Sequence, residues 1–215
     1  MPPGVAVEET FGDLPDIELF PEEEAVIAKA VSKRRREFTT ARACARAALA
    51  KIGVPPVPIV PGVRGAPQWP PGVVGSITHC DGYRACAVAR DSDVVTIGLD
   101  AEPHARLPDG VCEAVTTRAE RIRLAALAAA MPDIFWDRIL FCVKESVYKA
   151  WFPLTGRWLG FEDAAVDFDA VNRSFTARLL VAGPVVNDKV LTGFDGLWRV
   201  SDGLIVTAIV IPRIG

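Results

Sequence analysis

Histidine is almost missing from this chain: only His79 and His104 occur, and none of the five cysteines (Cys44, Cys80, Cys86, Cys112 and Cys142) forms a C-x-x-C pair. That scarcity excludes a Cys/His zinc site, and the odd cysteine count argues against a disulfide framework, so buried reduced thiols are expected. His79 and Cys80 do not make a nucleophilic pair either, because neighbours in an extended segment face opposite ways. A large excess of one charge is also lacking. Charged residues make up 24% and the net charge is -3, which speaks against disorder and against nucleic-acid binding. No uninterrupted apolar run approaches the ~18 residues of a membrane span, so no membrane partner is expected. The amino-terminal stretch MPPGVAVEETFGDLPDIELFPEEEA has no basic region followed by an apolar core, and a cytoplasmic protein is expected. Repeats and low-complexity tracts are absent.

What is present is core: half of the 215 residues are hydrophobic, enough for one large domain or two small ones. Residues 21–51 hold good helix formers and end at Gly53 and Pro55, which predicts one helix. The Pro/Gly-rich stretch 54–75 breaks all periodicity and reads as a long functional loop. Strand-like runs follow at 74–78, 83–89 and 94–100. A crossover spans 103–110, helical segments cover 111–131 and a further helix covers 136–151. Strands return at 164–168, 174–181, 197–200 and 204–211. Helix plus strands therefore occurs twice, which predicts an α+β fold of two lobes, 1–103 and 104–215, with the chain near residue 100 at their junction.

The run TIGLDAEP, Thr96 to Pro103, finishes an apolar strand with two acids one residue apart. In an extended chain Asp100 and Glu102 share a face and repel. Alone, such a pair reads as a frayed strand end in water; the alternative is a hard-cation site, since Mg²⁺ takes one or two carboxylates and completes its shell with water and phosphate oxygens. The stretch FCVKESVYKAW supplies a third acid. At helical spacing Leu140, Val143, Val147, Ala150 and Trp151 form an apolar stripe, with Glu145 and Lys149 on the opposite side. These two are either an ordinary surface ion pair or, beside Asp100 and Glu102, a metal ligand and a phosphate-holding lysine. In KRRREFTTARACAR, Arg35, Arg42 and Arg46 fall on one helical face flanked by Arg34 and Arg36. This is a solvated face or, in an acidic protein, a clamp for a compact phosphate. The stretch GSITHCDGY ends a strand at His79 before a D-G turn.

Ile97-Gly-Leu-Asp-Ala-Glu102, with Trp136 and Phe141-Cys-Val-Lys-Glu-Ser-Val-Tyr-Lys149, closely resembles the paired signature of Sfp-type 4′-phosphopantetheinyl transferases. R-R-x-E-F…A-R, R-G-A-P-Q-W-P and G-S-I-T-H extend the likeness from Lys33 to Glu162. The resemblance implies a pseudo-two-fold α+β monomer with coenzyme A in the cleft between the lobes. It implies Asp100, Glu102 and Glu145 as ligands of Mg²⁺, with Mn²⁺ as the alternative cation. Lys144, Lys149 and His79, with Thr78 and Asp100 beside them, would meet the phosphates, and Arg34 and Arg42 the 3′-phosphate. Related sequences commonly carry Lys before the loop proline, where this chain has Ala66 before Pro67, so Arg64 is the substitute.

The activity so implied is transfer of the phosphopantetheine arm from coenzyme A to a serine of apo carrier proteins or carrier domains of fatty-acid, polyketide and nonribosomal-peptide synthases. Glu145 is the candidate base, directly or through a metal-bound water, and Lys149 stabilises the transferred phosphate. A pyrophosphate hydrolase would use the same acids, and a non-catalytic coenzyme A-binding module would not need Glu145. Arg118, Arg121 and Arg123 read either as a docking face for an acidic carrier helix or as a solvated face.

Overall fold

The structure is a computed structural model that describes residues 1–214. It has the α+β class the sequence implies, in two compact units: residues 1–99 with 210–214, and residues 100–209. The chain passes from one unit to the other between Leu99 and Asp100, so both acids of the DAE run belong to the second unit, whereas the sequence reading keeps them in the first.

The first unit holds strand β1 (Ala6–Phe11), helices α1 (Pro21–Ile27) and α2 (Ser32–Lys51), strands β2 (Val73–Cys80) and β3 (Tyr83–Arg90), and the start of β4 (Val94–Pro103). Strands β1, β3 and β2 form an antiparallel sheet with β3 central, paired Ala6↔Val88 on one side and Ile77↔Cys86 on the other. A central strand buried over Tyr83–Ala89 calls for a mostly apolar run, hence YRACAVA, and its one charge, Arg84, is met by Asp13 at 2.7 Å and by the carbonyls of Cys80 and Tyr83. Cys44, Ala45, Ala48 and Leu49 of α2 pack with Val54, Ile59, Val73, Cys86 and Val88 as one core. Gly75 of β2 is required there, because a Cβ would sit 2.8 Å from both the Ala87 carbonyl oxygen and the Trp69 ring.

In the first unit a strand and a helix depart from the sequence expectation, as the short strands at Val185–Val186 and Lys189–Val190 do in the second. Strand β1 goes unforeseen because Glu8 and Glu9 break its apolar character; they pair instead with Lys51 at 2.5 Å and with the Tyr83 hydroxyl. The single helix expected over 21–51 is two helices separated at residues 28–31. In a straight helix Glu23 and Arg46 would stand about 35 Å apart. In the fold Arg46 NH1 donates to Glu23 Oε2 at 2.9 Å, and Glu23 also accepts from the Ile59 amide at 2.9 Å, so the chain has to turn back.

The second unit contains the end of β4, helices α3 (Val111–Val115), α4 (Arg118–Ala130) and α5 (Trp136–Thr155), and strands β5 (Ala164–Asp169), β6 (Ser174–Leu179), β7 (Val185–Val186), β8 (Lys189–Val190), β9 (Gly193–Ser201) and most of β10 (Leu204–Pro212). The main sheet runs β4-β10-β9-β6-β5, and β7 and β8 make a separate hairpin. Helix α5 ends where Gly156 adopts a left-handed backbone, φ 63°, and its amide returns to the Phe152 carbonyl at 2.8 Å. The stripe Leu140, Val143, Val147, Ala150 and Trp151 is buried, as its spacing predicts. Among the described residues no helix is long and apolar enough to cross a membrane.

Candidate active site

The end of β4 and helix α5 bring the DAE and KES runs together within the second unit. Asp100 is buried, and Lys149 Nζ donates to its Oδ1 at 2.7 Å. Glu102 is half-buried and accepts from Arg138 NH1 at 2.9 Å. Arg138 also donates to the carbonyls of Ala105 (3.1 Å) and Arg106 (2.8 Å), which pins the chain leaving β4. Glu145 is half-buried, one helical turn before Lys149. Lys149 thus reaches the acid on β4. Arg138 escapes a motif-based reading, although it lies seven residues, two turns, before Glu145 and so on the same helical face.

The acids act on one another. Burial first, and then the Asp100 charge, pushes the Glu102 carboxyl up, with Arg138 and Lys149 opposing. Burial and then Asp100 likewise raise Glu145, Glu102 adds to the effect, and Lys149 opposes it. This is the repulsion expected of like charges gathered where water is scarce. Beneath them Cys142, Ser146 and Thr207 form a buried polar knot. Thr207 Oγ1 lies 3.0 Å and Ser146 Oγ 3.1 Å from the Cys142 carbonyl, and the two hydroxyls also meet; with one hydrogen each, one donates to the carbonyl and the other to its partner hydroxyl.

Among the described residues no three His, Cys, Asp or Glu side chains stand at metal-ligating spacing. The donor set nevertheless fits a hard divalent cation in its chemistry: it is all carboxylate oxygen, and the carboxylates need positive charge. Lys149 and Arg138 supply that charge to Asp100 and Glu102 in this arrangement.

Lys144 is a correction. Sequence resemblance assigns it to the coenzyme A phosphates, but its side chain is 3% exposed. Its ammonium donates to Glu120 Oε2 (3.0 Å) and to the carbonyls of Val115 (2.9 Å) and Phe161 (2.7 Å). An ammonium has three N–H bonds, so none is left for a phosphate. Burial lowers the Lys144 pKa, with Glu120 opposing. Burial raises Glu120, but its bonds from Thr117, Val166 and Lys144 outweigh this and leave it below the usual carboxylate range. Glu120, also missed in sequence, had a local sign: Thr117-Arg-Ala-Glu120 is a capping box, with the Thr117 amide donating to Glu120 Oε2 at 2.7 Å and Thr117 Oγ1 accepting from the Glu120 amide at 3.2 Å.

In the first unit the arginine cluster is divided. Arg35 pairs with Glu24 at 2.5 Å and Arg46 with Glu23 at 2.9 Å, both acids of α1. Arg42 is buried; its Nε donates to the Ile59 carbonyl at 2.6 Å, and its guanidinium lies 4.0 Å from the Phe38 ring centre. Burial lowers its pKa to about 10, with Glu23 opposing and the like charge of Arg34 adding. Arg34 is exposed, and its NH1 donates to Nε2 of the exposed His79 at 2.9 Å. Thr78, by contrast, is buried in β2. Arg64 is exposed in a turn, Val63–Gly65, and takes the left-handed region at φ 54°. In the second unit Arg121 turns back to the Thr116 carbonyl (2.9 Å), and Arg123 to the Val166 carbonyl (3.1 Å) and the Asp167 carboxylate (2.9 Å).

Lys149 beside the buried Asp100, with Glu102 and Glu145 coupled to it through their charges, is an arrangement that suits a phosphate-bearing substrate. Residues 22–89 match the 4′-phosphopantetheinyl transferase N-terminal domain, and residues 96–189 match the 4′-phosphopantetheinyl transferase superfamily. The 4′-phosphopantetheinyl transferase Svp of Streptomyces mobaraensis is 54% identical over 214 residues, covering 98% of this chain and 87% of that protein. Npt of Nocardia iowensis is 51% identical over 218 residues, 97% of this chain and 96% of its own. PptT of Mycobacterium tuberculosis is 49% identical over 212 residues, 96% and 92%. The chain belongs to the 4′-phosphopantetheinyl transferase superfamily.

Proposed function

We propose that this enzyme moves the 4′-phosphopantetheine arm of coenzyme A onto a serine hydroxyl of apo carrier proteins and carrier domains of fatty-acid, polyketide and nonribosomal-peptide synthases. The observation that carries the reading is the meeting of Asp100, Glu102, Glu145 and Lys149 in one charge-coupled group. The serine oxygen forms a bond to the β-phosphorus, the bond from that phosphorus to the bridging oxygen breaks, and adenosine 3′,5′-bisphosphate leaves. Glu145 accepts the serine proton and passes it to water. Lys149 moves from Asp100 to the transferred phosphate and stabilises its developing charge. Asp100, Glu102 and Glu145 would hold Mg²⁺, or Mn²⁺, which when bound neutralises charge on the pyrophosphate. Weighing an apo carrier protein after incubation with the enzyme, coenzyme A and Mg²⁺ tests the assignment; release of free phosphopantetheine with an unmodified carrier would replace it with hydrolysis.

Because Lys149 and Arg138 already neutralise Asp100 and Glu102, a lone divalent ion has little to gain from this site. Its affinity should rise at least about tenfold once coenzyme A phosphates provide further oxygen ligands. Calorimetric titration of Mg²⁺ with and without coenzyme A measures this linkage, and equal affinities would contradict it.

For the 3′-phosphate we propose a clamp centred on Arg34 and His79, which already share a hydrogen bond, with the buried charge of Arg42 nearby; Arg64 on its exposed turn is the second candidate contact. Charge-assisted bonds to such a group are worth about 1.5–3 kcal/mol, so Arg34→Ala should cut the preference for coenzyme A over dephospho-coenzyme A about tenfold or more. A native preference in that variant removes Arg34 from the clamp.

A further inference from the structure

Glu120 and Lys144 lie outside the reacting group, yet few polar groups in the second unit are as deeply buried or as fully bonded. Glu120 is 0% exposed and Lys144 is 4% exposed. Glu120 Oε1 accepts from the Val166 amide of β5 at 3.0 Å, and Oε2 accepts from the amide and hydroxyl of Thr117 as well as from Lys144. Through its other two bonds Lys144 holds the last residue of α3, Val115, and the turn after α5 at Phe161. One ion pair therefore ties α3, α4, α5, β5 and that turn to a single point.

The residue after Lys144 is Glu145. Consecutive residues on a helix point about 100° apart, so the rotation of α5 that seats the Lys144 ammonium also decides where Glu145 points. The rest of that helical face offers less direction. Leu140, Val143 and Val147 are apolar, and apolar packing tolerates small shifts more readily than a saturated set of hydrogen bonds does.

The first unit contains a second copy of the device. Glu23, at the start of α1, is also fully buried. It accepts from its own helix-capping amide (Phe20, 3.1 Å), from a distant backbone amide (Ile59, 2.9 Å) and from a cation on a 20-residue helix (Arg46, 2.9 Å). There the next residue is the exposed Ala47, and no reacting group is carried. The device is thus a helix-setting keystone, and chemistry has been added beside one copy.

We propose that Glu120 and Lys144 are positioning residues of the transferase, fixing the rotation of α5 so that Glu145 is presented to Asp100 and Glu102. The proposal rests on Glu145 belonging to the reacting group.

The test uses Lys144→Met and the double variant Lys144→Met/Glu120→Gln, in which neither partner is left as a lone buried charge. Melting temperature, coenzyme A affinity, and kcat and KM for carrier modification are measured for each. The single variant should melt lower than the native protein and the double variant should recover most of that loss. In both, kcat should stay down about 100-fold, because a carboxylate misplaced by an ångström loses that much. KM and Kd for coenzyme A should stay within about threefold, since the Lys144 ammonium has no N–H left for a phosphate. Native kcat in the double variant would overturn the proposal, as would coenzyme A affinity falling in step with kcat. A double variant unable to fold would also overturn it, because the pair would then serve folding and not positioning. Glu145→Gln separates the two readings. If that variant still transfers, the reacting group is wrong; if it is inert while the double variant is fully active, only the positioning role fails.

Discussion

Glu145→Gln is expected to lower carrier modification by about three powers of ten or more, the scale lost with a general base that is also a metal ligand. Its stability should move the other way. The Glu145 carboxyl is pushed up by burial and by Asp100 and Glu102, so its folded pKa lies above its unfolded one. An acid shifted upward costs stability when ionised; the cost is full above the folded pKa and disappears as pH falls toward the unfolded pKa. In metal-free buffer the glutamine variant should therefore melt at or slightly above the native temperature near pH 8, and its advantage should vanish in mild acid. Coenzyme A should still bind, because the proposed clamp on its 3′-phosphate, Arg34 and His79, is untouched. Near-native transfer in this variant would sink the three-carboxylate site.

Lys149→Met should be the next most damaging change, and it should harm both properties at once. It strips the ammonium 2.7 Å from Asp100, whose side chain is only 7% exposed, and so leaves a buried carboxylate without that partner. The lysine itself is 27% exposed, so the loss is set below that of a fully buried pair, at about 1–3 kcal/mol. For a chain of this size that is a fall in melting temperature of about 2–12 °C. Transfer should fall about 100-fold or more as the developing phosphate charge loses its donor. Adding Asp100→Asn should restore the melting temperature and leave transfer low. An unchanged melting temperature for Lys149→Met would show that the pair with Asp100 holds nothing; native transfer would remove the lysine from the reaction.

The parts of the fold legible in the sequence are those where one local rule operates. The stripe of α5 follows from helical period alone, and the apolar strands around β3 follow from burial on a central strand. Placing Asp100, Glu102, Glu145 and Lys149 in one neighbourhood needed the motif, because nothing local links a strand end to a helix 40 residues on. Lys144 was misassigned for the same reason: its fate is decided by Glu120, 24 residues away, and no helical periodicity reports that bond. The arginine run misled similarly. Arg35 and Arg46 share a helical face as their spacing says, but α1 folds back and sets Glu24 and Glu23 against them. Arg138 had a helical position shared with Glu145 as its only sequence sign, and its bond to Glu102 is what ties it to the acids.

The two keystones make the molecule its own internal control for protein engineering. Glu23 with Arg46, and Glu120 with Lys144, are the same brace built twice, and only the second is next to a reacting side chain. Heat tolerance and turnover are therefore adjustable at different addresses in the chain. Substitutions selected around the first brace would change how well the protein survives heating and, through α2, how Arg34 and Arg42 meet the 3′-phosphate, whereas selection around the second would trade heat tolerance against the placing of Glu145.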